Sequence, residues 1–153
     1  MAAMERRADV VWTGDLKGKG RLRVASGAFP EQSVSFDART GSPDGKTSPE
    51  ELIAAAHATC FSMAFSNTLA TNGATPEQLE VTATCTLERL PSGLRITAME
   101  LAVRGRVSGV DEARFLELAQ LAESRCPVSN ALRGNVDITV RAQLTPAGVQ
   151  AAR

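Results

Sequence analysis

The chain has 153 residues, 43% apolar and 22% charged, an ordinary globular balance and enough length for one domain with a real core. Seventeen basic and seventeen acidic residues cancel, and aromatics are only 4% with no tyrosine. That excludes an electrostatic footprint for nucleic acid or an anionic membrane, and it argues against a base-stacking surface.

The start, MAAMERRADVVW, carries no apolar signal segment. Three cysteines are too few for an extracellular disulfide framework, so a reducing cytoplasm is the expected compartment. VVWTGDLKGKGRLRVAS places Gly18 and Gly20 between two strand-like runs and predicts a hairpin. SVSF, residues 33–36, continues as a third strand, and RTGSPDGKTSPEE is dense in turn residues and reads as a loop. The first long helix begins at SPEEL. Ser48 suits the N-cap, Pro49 the first helical position, and Glu51 the third place of a capping box. Glu51 therefore has a local task, and Glu50 is left without one.

This helix is predicted to run to about Asn72, where Gly73 closes it. No charged residue occurs from Leu52 through Pro76, but Asn67, Asn72 and His57 interrupt the run. A buried core helix fits better than a membrane span, which wants about 20 predominantly apolar residues. LEVTATCTLERL alternates, with Val81, Ala83, Cys85 and Leu87 on one face, and LRITAMELAVRGRV alternates again after the turn PSG. DEARFLELAQLAESR has helical spacing with Asp111 as its N-cap, a short helix follows in PVSNALR, and VDITVRAQL is a last strand. The order predicts an α+β fold with antiparallel sheet. The first helix is apolar nearly all round and must be covered on several sides, which suggests an interlocked homodimer.

The three cysteines have three environments. Cys85 lies mid-strand on an apolar face and reads as packing. Cys126 precedes Pro127 at a helix start, where unpaired amides favour a thiolate; capping alone is the equal alternative. Cys60 lies mid-helix, in AAAHATCFSM, with no Lys or Arg on its own helix between Leu52 and Pro76 to stabilise an ionised sulfur. His57, three residues earlier, is at a helical spacing that allows contact with Cys60, and a Cys-His pair would point to acyl transfer. A lone histidine on a buried helix is more often a satisfied core residue.

TSPEELIAAAHATCFSMAFS together with CPVSNAL closely resembles the OsmC branch (osmotically inducible protein C) of the OsmC/Ohr peroxidases, and WTGDLKGKG and SFDART match the same branch. The resemblance covers about Val10 to Leu144. It implies a single OsmC-like domain over residues 1–153, with a short flexible N-terminus over about 1–8 and a tail over about 146–153. It implies antiparallel sheets wrapped around two long central helices in an intertwined homodimer. The activity implied is that of a thiol peroxidase reducing organic hydroperoxides without metal, haem or flavin. By motif position Cys60 is the peroxidatic cysteine, Cys126 the resolving one, Arg39 the activating cation and Glu50 the residue that holds Arg39. Glu50 and Cys60 are ten residues apart on one helix, roughly 15 Å along its axis, more than a glutamate side chain spans. If Glu50 serves the Cys60 site, antiparallel packing of two subunits' helices is the simple arrangement, and the site would then be shared across the dimer.

The implied cycle makes a sulfenic acid at Cys60, condenses it with Cys126 and returns the disulfide to thiols through an external dithiol, with a lipoylated protein as one candidate reductant. The charge-free wall around Cys60 favours alkyl hydroperoxides over hydrogen peroxide. Two rival readings are a Cys60-His57 hydrolase and a non-catalytic dimeric binding protein with an apolar pocket.

Overall fold

The computed structural model describes residues 3–145. The expected tail over 146–153 lies outside the described residues, as do the first two residues of the expected flexible start. Two compact units are present, one up to Leu52 and one from Ile53 onward.

The first unit holds β1 (Ala8–Thr13), β2 (Lys19–Val24), β3 (Gln32–Val34) and α1 (Phe36–Thr40). The strands form one antiparallel sheet in the order β1-β2-β3. Two expectations shift here. Gly20 lies within β2 rather than in the turn, directly between Trp12 and Val34 on the neighbouring strands. A Cβ on Gly20 would meet Val34 Cγ2 at 2.6 Å and Trp12 Cε3 at 2.8 Å, so the glycine makes room for both side chains. The third strand stops at Val34, because Ser35 caps a helix instead: its Oγ accepts from the Ala38 amide at 3.3 Å.

The long helix α2 runs Pro49–Thr71. Ser48 Oγ accepts from the Glu51 amide at 3.1 Å, as the capping pattern predicts. At the other end Ala74 N–H donates to Leu69 O and Gly73 N–H to Ala70 O, with Gly73 at φ 80°. That pair of bonds is a Schellman closure, which needs a residue able to adopt positive φ.

The second unit continues with β4 (Thr75–Leu90), β5 (Gly93–Ser108), α3 (Glu112–Arg125), α4 (Pro127–Leu132) and β6 (Asp137–Leu144). The mixed α+β class holds, with sheet order β4-β5-β6. β4 and β5 form a long antiparallel hairpin, but β6 pairs parallel to β5. The reason is topological: α3 and α4 carry the chain back across the sheet, and a return of that length delivers a parallel strand. The core of this unit gathers Phe61, Phe65 and Leu69 of α2, Leu101 and Val103 of β5, and Phe115, Leu118, Ala119 and Ala122 of α3. Phe65 and Phe115 rings lie 5.0 Å apart at a tilt, a favourable aromatic geometry.

Candidate active site

Cys60 is half-buried on α2 and packs against the core of the second unit. Cys126 is fully buried between α3 and α4. Its position follows from Pro127: the residue before a proline is pushed out of the helical region, and Cys126 has φ −70° and ψ 120°. One residue thus ends α3 and starts α4, with Pro127 at the first helical place.

The two thiols meet. The Cys60 S–H donates to the Cys126 sulfur, and the backbone N–H of Val128 donates to the Cys60 sulfur. Burial pushes the Cys60 thiol up, and the hydrogen bond and charge interaction with Cys126 push it further. The Val128 amide pulls it down. The amide at the start of α4 therefore serves Cys60 rather than Cys126, which makes no side-chain cap bond of its own. Sequence reasoning placed that amide environment at Cys126 and did not see that it reaches Cys60. A backbone donor leaves no side-chain signature, and only the fold brings Val128 to residue 60. Cys85 sits on β4 opposite Met99, half-buried, on the strand face expected for it.

Arg39 and Glu50 are also brought together, in the first unit. Arg39 Nε donates to Glu50 Oε1 at 2.9 Å and Arg39 Nη2 to the same oxygen at 2.6 Å. Both donors converge on one oxygen, so the pairing is not the two-oxygen fork expected of a bidentate pair. Glu50 is buried, and its Oε2 has no hydrogen-bond partner.

His57 is fully buried, and its Nε2 lies 2.8 Å from Ser129 Oγ. The groups acting on the Cys60 thiol are Val128 and Cys126, and His57 is not among them. The imidazole is spent on Ser129, so the geometry of a Cys60-His57 dyad is not formed. Burial lowers the His57 pKa, opposed by the negative charge of Glu123. Ser129 carries no signal of this role in sequence, since its partner is 72 positions away. Among the described residues no three His, Cys, Asp or Glu side chains are grouped as metal ligands, and no helix is long and apolar enough to cross a membrane.

Residues 41–141 match the family model described as OsmC-like protein. The chain belongs to the OsmC-like family. It is 38% identical over 136 residues to peroxiredoxin OsmC of Escherichia coli, covering 88% of this chain and 94% of that one. It is 31% identical over 130 residues to an organic hydroperoxide resistance protein of Xanthomonas axonopodis pv. citri, covering 84% and 87%. Among solved structures, an organic hydroperoxide resistance protein OsmC from Legionella pneumophila superposes with TM-score 0.73 at 25% identity, covering 94% of this chain and 99% of that one. OhrB of Bacillus subtilis gives TM-score 0.69 at 26% identity, covering 91% and 98%. The OsmC-like fold and family expected from the paired cysteine motifs are thereby found.

Proposed function

We propose that this chain is a cysteine-based peroxidase that reduces organic hydroperoxides, with Cys60 as the attacking sulfur and Cys126 as the resolving one. The observation that carries the reading is the contact of these two thiols, from segments 66 positions apart, across one hydrogen bond. The names of the relatives at 38% and 31% identity, a peroxiredoxin and an organic hydroperoxide resistance protein, support the same substrate class.

The Cys60 thiolate attacks the distal oxygen of the hydroperoxide. The O–O bond breaks, the alkoxide leaves as the alcohol after taking a proton, and Cys60 becomes a sulfenic acid. Cys126 then attacks that sulfur. The S–S bond forms, the S–O bond breaks and water leaves. An external dithiol, with a lipoylated protein as one candidate, returns both thiols by exchange. No cofactor takes part in this cycle.

The first step needs a thiolate, and burial opposes one at Cys60. The Val128 amide offsets part of that penalty, and the task proposed for Arg39 is to offset the rest. Glu50 holds the guanidinium by two N–H bonds and so fixes where that charge is delivered. The site is assigned to the interface of a homodimer in the cytoplasm. Non-reducing peptide mapping after one equivalent of cumene hydroperoxide tests the reading. The expected product is a single Cys60-Cys126 disulfide with loss of two thiols per chain, while Cys126→Ser consumes one equivalent and then stalls as sulfenic acid or over-oxidises. Sustained dithiol-driven turnover in Cys126→Ser would remove Cys126 from the cycle.

A further inference from the structure

We propose that His57 is a positioning residue for disulfide formation: through Ser129 it sets the register of α4 against α2, and with it the approach of Cys126 to Cys60. The inference rests on the peroxidase reading above and adds a residue to its second step.

His57 and Cys60 are three apart on α2 and share a face, while Cys126 and Ser129 are three apart at the start of α4. The two pairs meet as two rungs. One is the hydrogen bond between the thiols, and the other is His57 Nε2 to Ser129 Oγ at 2.8 Å. His57, Cys126 and Ser129 are all fully buried. One rung leaves a helix free to turn about the contact, whereas two rungs fix its rotation.

α4 depends on such a tie. It has six residues, far below the length at which a helix holds itself, and its N-cap side chain makes no cap bond. At its C-cap, Arg133 Nη2 donates to Glu123 Oε1 at 2.9 Å, which fastens that end to α3 and not to α2. The polarity of the imidazole suits the role. Nδ1 is buried with no partner, and an orphaned acceptor is easier to bury than an orphaned N–H. That assigns the proton to Nε2, from which it donates to Ser129 Oγ.

Resolution demands movement along a defined line. Cys126 Sγ attacks the sulfenic sulfur of Cys60, the S–S bond forms, the S–O bond breaks, and hydroxide leaves with the Cys126 proton as water. A disulfide is about 2 Å long, much shorter than a hydrogen-bond contact between thiols, so α4 must tip toward α2. Tipping about the His57-Ser129 rung brings Cys126 in without twisting it off line. Attack on the peroxide needs the Cys60 thiolate and the groups that favour it, but no movement of Cys126, so it depends on the rung far less.

The test is rapid-quench mass spectrometry after one equivalent of cumene hydroperoxide, following sulfenic acid, disulfide and sulfinic acid at Cys60. His57→Ala and Ser129→Ala are each expected to form sulfenic acid within about threefold of the parent rate, a small loss because the Val128 amide that assists Cys60 also lies on α4. Each then converts it to the disulfide about tenfold more slowly, the rate equivalent of one neutral hydrogen bond. Both accumulate sulfinic Cys60 under excess peroxide. His57→Gln, whose Nε2 has a similar reach to Ser129, restores the disulfide rate. The double variant is no slower than either single one, because both remove the same bond. Parent-rate disulfide formation in the single variants, or additive losses in the double, overturns the inference alone. If His57→Ala does not fold, Ser129→Ala and His57→Gln decide the matter. A parent protein that forms no Cys60-Cys126 disulfide overturns the peroxidase reading, and this inference with it.

Discussion

Arg39 brings two N–H groups to Glu50 and spends both on Oε1, leaving Oε2 buried and unpartnered. A buried carboxylate with one empty oxygen is costly, and the guanidinium beside it is what makes the position tenable. The same pairing sets an expectation for reactivity. Burial favours the neutral Cys60 thiol, so any group that lowers its pKa moves alkylation to lower pH, and removing that group moves it back up. In a background with Cys85 and Cys126 replaced by Ser, Arg39→Ala is expected to displace the pH profile of Cys60 alkylation to higher pH. Peroxide attack at neutral pH then slows by about two orders of magnitude. Glu50→Ala produces a smaller displacement in the same direction, since the cation remains but is no longer held. An unchanged profile in Arg39→Ala rules this arginine out as the activator. At this scale the sequence was informative where a side chain announced its task. The Ser48 cap on the Glu51 amide was announced by the capping pattern, which left Glu50 without a local task, and Pro127 marked Cys126 as a helix start. It was silent on Val128 and on Ser129, whose roles come from a backbone amide and from a contact 72 positions distant.

Elements were legible where their ends are chemically marked. Ser48-Pro49 opened α2, Asp111 caps α3 by accepting from the Arg114 amide at 2.8 Å, and Gly73 closes α2 at positive φ. Period-two alternation exposed β4 and β5 because each has one buried face. The third strand was read too long because Ser33 to Phe36 alternates over only four residues, too short a run to outweigh the cap that Ser35 makes for α1. The direction of β6 was hidden because alternation carries no sense of direction. Gly105 shows what a pattern of apolar residues leaves out. It lies in β5 under α3, where a Cβ would come within 2.6 Å of Phe115 Cζ and 3.0 Å of Leu79 Cδ2. Phe115 is fully buried and packed at a tilt against Phe65, so it has little room to yield. Gly105→Ala is expected to destabilise the protein by about 1–3 kcal/mol, read as a lower urea midpoint with an unchanged slope. Adding Phe115→Leu to that variant costs less than Phe115→Leu does in the parent, because the smaller side chain frees the space the methyl needs. Equal costs would mean that the strand shifts rather than the ring.

At the scale of the whole molecule, the charge-free run of α2 has two sides with different fates. Its Phe61, Phe65 and Leu69 are buried within their own chain, while Ala56, Thr59, Met63, Ser66, Asn67 and Ala70 form an exposed stripe at helical spacing. Met63 is 67% exposed, beside an open recess of about 630 Å³ that Asn67, Pro76 and Leu79 also line. A helical stretch exposed in this way yet carrying no charge is what a two-fold interface requires, since each subunit then presents the same surface to its copy. The sequence made the need for cover visible through the all-round apolar pattern, but not which face the chain covers itself. If the second copy lies there, the site borrows from both subunits, and complementation tests that directly. Arg39→Ala and Cys60→Ser are each expected to turn over at a small fraction of the parent rate. Mixed as unfolded chains and refolded at equal concentration, half of the dimers formed at random are mixed. Each mixed dimer has one site holding an intact Cys60 and an Arg39 from the other subunit, so turnover recovers to about a quarter of the parent value per subunit. If Arg39 acts on the Cys60 of its own chain, no mixed dimer contains an intact site, and the mixture is no more active than the average of its parts. Met63→Glu separates the interface from the chemistry. Two-fold packing sets the new carboxylates near their own copies, so the variant is expected to sediment as a monomer, and in the complementation mixture it abolishes the recovery. Recovery that survives in a monomeric Met63→Glu background would show that the exposed stripe of α2 is not the surface through which the two halves of the site meet.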